Sequence, residues 1–233
     1  MERFKNKLAI VVGATTTLGV AIAEELVNNG LKVLGLDTSI ALLEKLALKL
    51  QYSNGTFQYY IVDLNKESEI INMISWTQEN IGPIHIMIYN LTTCTQSNLV
   101  QEQTEDWRRI FEKNVISLNT ITRKILKNMA ENYVEGYIIN ISTILENRSR
   151  RNVYNIINES INTLTESFRG ELRGSEPKIK ITNLRLVTDI NIIADIETNT
   201  ASILKCRDIV NAVIFILSMS SNVQIDNLTL SIV

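Results

Sequence analysis

The sequence predicts an α/β fold, a seven-stranded parallel sheet with helices on both faces, doubly wound in the Rossmann manner. Three observations carry this. Short β-branched runs alternate with longer segments of helical period along the chain. The first run ends in a glycine turn that leads into a helix, as at a nucleotide-binding βα junction. The chain has 233 residues, 45% hydrophobic and 21% charged. At that size a single domain buries about 70% of the surface it exposes when unfolded.

The elements follow in order. Strands are expected at 8–12, 32–36, 57–62, 84–89, 136–142, 179–186 and 226–231, where apolar, β-branched runs suit a sheet buried on both faces. Helices are expected at 18–29, 40–50, 67–80, 104–131, 153–173 and 206–218. There apolar residues recur at helical spacing, as in Ile22 and Leu26 or Ile209, Val213 and Ile216. Nothing repeats, and two prolines supply no Pro-rich linker, so residues 1–233 read as a single dinucleotide-binding-type domain.

Composition excludes several classes. A net charge of −2 gives no positive excess with which to hold a phosphate backbone, so no nucleic acid partner is expected. The basic run Arg148, Ser149, Arg150 and Arg151 reads as a solvated loop rather than a polyanion site. Cys94 and Cys206 make no disulfide framework and, without paired Cys/His spacing, no metal site; a reducing, cytoplasmic setting is expected. The apolar segment Leu8 to Val12 is too short for a membrane span and lacks a small-residue cleavage site. No export signal is therefore expected, and Asn-x-Ser/Thr triplets such as Asn54 and Asn227 are not expected to carry glycans.

After the first strand come Gly13, Ala14, Thr15, Thr16, Thr17, Leu18 and Gly19. Such a turn delivers the chain to a helix N-terminus whose free N–H groups can meet a pyrophosphate, although glycine turns also serve packing alone. Strand two ends at Asp37, whose carboxylate suits both hydroxyls of an adenosine ribose and would repel a 2′-phosphate. The other role for Asp37 is a helix cap. Thr38 and Ser39 can fill that role, which favours the ribose.

Further residues join this turn: Leu8 to Ala14, Asp63-Leu64, Tyr89-Asn90, Asn114 in the long helix, Ile139-Asn140-Ile141-Ser142-Thr143 on strand five, and Tyr154. Together they resemble the short-chain dehydrogenases/reductases over essentially the whole chain. Leu164 to Arg173 is similar to that family's fifth helix, and Val223 to Thr229 to the tail of its insect farnesol-dehydrogenase-like branch. The resemblance implies an oxidoreductase that moves hydride between a nicotinamide dinucleotide and a small alcohol or carbonyl. It implies Gly13, Thr17, Leu18 and Gly19 at the pyrophosphate, Asp63 with Leu64 beside the adenine, Asn90 beside the cofactor ribose, and Asn114 holding a water in a proton relay. On the residues alone, Asp63 also fits a helix cap and Asn90 a turn.

In that family a tyrosine transfers the proton and a serine hydroxyl holds the substrate oxygen. A free tyrosine titrates near 10, so its use at neutral pH needs a shift of about three units, worth about 4 kcal/mol. The family supplies this with a lysine one helical turn after the tyrosine. By resemblance Tyr154 is the tyrosine and Thr143, with Ser142 before it, the serine, at a spacing shorter than the family commonly shows. Asn158 stands at the lysine position. A neutral amide can bond a ribose but puts no full charge beside a phenolate.

Three further departures surround the same ligand. Thr17 replaces a glycine, so a Cβ and methyl would crowd the pyrophosphate. Tyr89, Leu91 and Thr92 replace much of the family's Asn-Asn-Ala-Gly turn, and Leu186 and Val187 stand where Pro-Gly follows strand six beside the nicotinamide.

The expectation is a family relative, a pseudoenzyme, that takes NAD in preference to NADP and whose activity is weak or lost. One rival is a working oxidoreductase for which Tyr154, Thr143 and Asn114 suffice; another is a non-catalytic binding or partner subunit. The helices near 104–131 and 153–173 correspond to those through which the family dimerises, so a homodimer or homotetramer is expected. The substrate cover, Thr188 to Ile203, carries no decisive chemistry. His85 reads as a strand-end residue with no partner spaced for a triad. Glu24 with Glu25, and Glu102 with Glu105 and Asp106, read as solvated helix surface, and Trp76 and Trp107 as packing anchors.

Overall fold

A computed structural model describes residues 1–90, 103–145, 153–188 and 204–231. The strands are β1 (Leu8–Val12), β2 (Lys32–Asp37), β3 (Thr56–Ile61), β4 (Ile84–Tyr89), β5 (Gly136–Leu145), β6 (Ile179–Thr188) and β7 (Asn227–Ser231). The helices are α1 (Thr17–Asn28), α2 (Ile40–Leu50), α3 (Glu67–Asn80), α4 (Thr104–Phe111), α5 (Ser117–Glu131), α6 (Val153–Glu171) and α7 (Cys206–Ser218). All neighbouring strands are parallel, in the order β3-β2-β1-β4-β5-β6-β7. The chain therefore winds outward from β1 to β3, returns to β4 and winds the other way, the doubly wound Rossmann-type sheet that the sequence predicts.

β1 shows why its apolar run forms the centre. All five of its residues are buried; Ala9 and Val11 pack with α1, α2 and α7, while Leu8, Ile10 and Val12 pack with α3, α5 and α6. Alternate side chains thus feed two cores, one on each face of the sheet. No described helix is long and apolar enough to cross a membrane.

The structure departs from expectation at two places. β5 and β6 run on past 142 and 186, pairing Thr143 with Leu186, Ile144 with Val187 and Leu145 with Thr188. Leu186 and Val187, at the position where the family pattern has Pro-Gly, both lie inside β6. A proline there would withdraw an N–H from the ladder, whereas leucine and valine continue it. The long helix expected at 104–131 is interrupted by a π-helical turn, Glu112–Ile116, in which the Ser117 N–H reaches back to the Glu112 carbonyl. Leu91, Thr92, Cys94, Glu102, the run 148–151 and the cover segment 189–203 lie outside the described residues.

Candidate functional site

The site begins where β1 and β4 part, at the carboxyl ends of the strands. Gly13 turns the chain with φ +71°, a left-handed conformation that glycine adopts without strain. Gly19, two residues into α1, lies against that turn so closely that a Cβ would meet the Gly13 carbonyl oxygen at 2.0 Å. Both glycines are therefore required by the turn itself.

Thr16, a member of the glycine turn to which the sequence assigns no role, ties the junction together. It is the N-cap of α1, and its hydroxyl accepts from the Gly19 N–H at 3.0 Å and donates to the Gly13 carbonyl at 2.9 Å. The same oxygen accepts from Asn90 Nδ2 at 2.8 Å, while the Asn90 N–H bonds the Val12 carbonyl at 3.2 Å. One hydroxyl thus links the ends of β1 and β4 to the start of α1. Thr17 and its exposed side chain open the helix, with buried Leu18 anchoring the first turn in the core.

Asp37 does not cap α2, whose N-cap Ser39 makes no side-chain bond either. Its Oδ2 instead accepts from the backbone N–H and the hydroxyl of Thr15, at 3.2 and 2.6 Å, and its Oδ1 from the Thr38 N–H at 2.7 Å. A carboxylate has about four acceptor positions, so one remains for a further donor. Asp63 closes a turn, its Oδ1 accepting from Asn65 N and Nδ2 at 3.0 and 2.9 Å. The Asp63 N–H donates to Glu69 at 2.8 Å, and this bond, followed by Lys66, holds the Glu69 carboxyl below its usual range.

Gly13, Asp37, Asp63 and Leu64 border one cavity of about 700 Å³, which Arg108, Arg109 and Lys113 also line. Sequence reading did not place those three at the site. Glu105, which reads as solvated helix surface, is exposed and also edges this cavity, paired with Arg108 at 2.5 Å. Arg109 pairs with Asp106.

The proton-transfer candidates lie on β5, α6 and the π-helical turn. Asn158 is only 4% exposed, and its Oδ1 accepts from the Thr143 N–H at 3.2 Å. Ser142, 1% exposed, donates to Asn183 Oδ1 at 3.1 Å, and Asn183 Nδ2 reaches Asn162 of α6 at 2.9 Å. Asn140 Nδ2 meets Thr165 at 2.9 Å. A ladder of amides and hydroxyls thus fastens α6 onto β5 and β6. Tyr154 is the second residue of α6, one turn before Asn158, and its side chain lies outside the described residues. Asn114 is buried in the π-helical turn and donates to the Ile110 carbonyl at 2.8 Å.

Tyr89 is the last residue of β4 and is fully enclosed, its hydroxyl 2.9 Å from Ser117 Oγ. Because the π-helical turn diverts the Ser117 N–H to Glu112, the Lys113 carbonyl is left to the Ser117 hydroxyl, at 2.5 Å. Ser117 has one hydroxyl proton and spends it there, so Tyr89 is the donor in their bond. Burial pushes the Tyr89 phenol well above its ordinary value of 10.0, only partly offset by Ser117. The fold therefore keeps a proton that the unfolded chain releases above pH 10, and the contribution of Tyr89 falls as pH rises beyond that. Tyr89→Phe is expected to cost about 1 kcal/mol at neutral pH. Above pH 10 the gap between wild type and variant should narrow by up to about 1.4 kcal/mol per pH unit, measured by urea unfolding. A gap that stayed constant to pH 11 would contradict this.

The family model described as short chain dehydrogenase matches residues 7–187. Dehydrogenase/reductase SDR family member 11 from Bos taurus is 30% identical over 246 residues, spanning 98% of this chain and 96% of that protein. Farnesol dehydrogenase from Aedes aegypti is 27% identical over 239 residues, spanning 99% and 97%. A metagenomic short-chain oxidoreductase solved in complex with NADP superposes with a TM-score of 0.84 at 17% identity, covering 99% of this chain and 98% of that one.

Proposed function

We propose, for a chain that belongs to the short-chain dehydrogenase family, that it binds NAD(H) and retains weak carbonyl and alcohol chemistry or none. The observation that carries this is Asn158, a buried amide committed to the Thr143 N–H, one turn after Tyr154 where the family pattern has a cation. Without that cation a phenol titrating near 10 is ionised in about one molecule per thousand at pH 7.

The residues fit a dinucleotide better at its adenosine end than at its reacting end. A bound NAD(H) would supply hydride to a carbonyl or take it from an alcohol. Gly13, Leu18 and Gly19 shape the turn that receives the pyrophosphate, with Thr17 crowding it; Asp37 takes ribose hydroxyls, Asp63 and Leu64 flank the adenine, and Asn90 holds the junction through Thr16. Tyr154 would move the proton, Thr143 or Ser142 would hold the substrate oxygen, and Asn114 would position a relay water. The β5–β6 ladder continues through Leu186 and Val187, where the family pattern turns away beside the nicotinamide. In this reading residues 1–233 act as one cytoplasmic domain, assembled as a homodimer or homotetramer through α4 to α6.

NADH is expected to bind at least about tenfold more tightly than NADPH, because Asp37 repels a 2′-phosphate. Arg108 and Arg109 face the cavity already paired with Glu105 and Asp106. Titration of each dinucleotide, followed by melting temperature, tests this; at a hundredfold its Kd a ligand adds about 2.7 kcal/mol. Tighter NADPH binding would overturn the role given to Asp37. NADH binding without turnover on alcohols and ketones would favour a non-catalytic subunit.

A further inference from the structure

A second cavity, of about 440 Å³, opens at the amino ends of the strands, the opposite end of the sheet from Gly13 and Asp37. Small-molecule sites occupy roughly 300–1,000 Å³, so it is large enough for a ligand. Its wall carries Arg3, Lys7, Lys178 and Lys180, with His85 at the start of β4, against a single carboxylate, Glu135. The chain as a whole has a net charge of −2, so the wall of this cavity carries the opposite sign to the chain.

These cations divide into two pairs. Arg3 and Lys180 are fixed over the Tyr137 ring, 5.2 and 5.0 Å from its centre. Arg3 donates to the Leu217 carbonyl at 2.8 Å and to that of Met219; Lys180 donates to those of Ser220 and Val223 at 2.8 and 2.6 Å. They give the wall its charge while their donors serve carbonyls at and just after the end of α7 and, from Arg3, the Tyr137 hydroxyl at 2.8 Å. Lys7 and Lys178 are exposed, and their side chains have no hydrogen-bond or ion-pair partner among the described residues. Their ammonium groups are available.

The rim supplies a second observation. Tyr133 follows α5 with φ +55°, a left-handed conformation that a helix end usually gives to glycine. Tyr133 is 79% exposed, so burial does not compensate for the choice of a bulky residue there. It stands as a flat apolar face at the mouth of a cationic cavity.

We infer that this cavity is a second ligand site, for a small organic anion that joins a phosphate group to a flat ring. Lys7 and Lys178 bond the phosphate from two sides, Ser221 adds a hydroxyl, and Tyr133 covers the ring. His85 is placed to report occupancy. Its Nδ1 lies 2.9 Å from the Pro83 carbonyl, an acceptor, so Nδ1 carries the hydrogen of the neutral ring and Nε2 gains the added proton. Burial, and then Lys7, hold the imidazolium form of His85 below its usual range, with the Pro83 carbonyl opposing. The charged groups around it in the cavity are those named above, together with the Tyr133 and Tyr137 hydroxyls.

His85 is the chain's single histidine, so its Hε1 resonance in the full-length protein is unambiguous. The resonance would be titrated with pH in the absence and presence of phenyl phosphate at about 10 mM, tenfold above a millimolar Kd. Bound phosphate is expected to raise the midpoint by about half a unit or more, by placing a negative charge near the ring. Lys7→Gln and Lys178→Gln should each weaken binding about fivefold. Inorganic phosphate should bind more weakly than phenyl phosphate, and phenol should leave the midpoint unmoved. No shift with phenyl phosphate, or a shift unchanged in the double lysine variant, would overturn the site. Equal affinities for the two phosphates would overturn the part given to Tyr133. Dinucleotide binding at the other end of the sheet does not enter any of these readings.

Discussion

Asn158→Lys alone is expected to leave NADH-dependent ketone reduction close to its starting level and to lower stability, whereas Asn158→Lys with Thr17→Gly should raise reduction about 10²-fold or more. The lysine restores a cation one turn after Tyr154. It also removes the Oδ1 that accepts the Thr143 N–H, in a position only 4% exposed. An orphaned buried donor costs about 1–3 kcal/mol, so the single variant should unfold at lower urea. Its catalytic gain appears only in molecules that hold cofactor, and in the proposed reading that population is limited by Thr17 at the start of α1. The two substitutions should therefore be more than additive at one fixed, subsaturating NADH concentration. Turnover of the single lysine variant equal to that of the pair would show that Thr17 does not limit binding.

Gly19→Ala is expected to be the most damaging of the small substitutions, costing about 3 kcal/mol and abolishing NADH binding. The added Cβ would stand 2.0 Å from the Gly13 carbonyl oxygen and 2.9 Å from its carbon, both backbone atoms of a turn that Thr16 and Leu36 already hold. Neither can yield without moving the end of β1. Gly170→Ala is the control. Near the end of α6 a Cβ meets nothing within 4 Å, and exchanging glycine for alanine in a helix should add up to about 1 kcal/mol. Urea unfolding of both variants gives the comparison; a Gly19→Ala protein as stable as wild type would mean that the turn is not the rigid element described.

The strands were legible because their β-branched runs are buried on both faces, so local sequence and final environment agree; β1 and β4 match their expected limits to the residue. The extra length of β5 and β6 was not, because what a strand does after residue 186 depends on a partner strand more than forty positions away in sequence. The π-helical turn at 112–116 leaves apolar spacing almost unchanged and becomes visible only through the diverted N–H of Ser117. At the site, the glycine turn and Asp37 stood out as residue types. Thr15 and Thr16 did not, since their bonds to Asp37 and Asn90 exist only once β1, β2 and β4 are adjacent. A threonine inside a glycine turn, with a carboxylate ending the next strand, is a signal that could have found the first of these. The charges of α4 were readable as helix surface, but not as one wall of a cavity, because the fold decides what that surface faces.

The central claim is that the family fold persists around a site whose proton chemistry has been weakened at Asn158. It is tested most directly by steady-state reduction of a panel of ketones with NADH, comparing the unmodified protein with Tyr154→Phe. The account predicts turnover at or near the blank for both, with Tyr154→Phe changing little. Robust reduction by the unmodified protein, abolished by Tyr154→Phe, would contradict it, because the tyrosine would then work without the lysine.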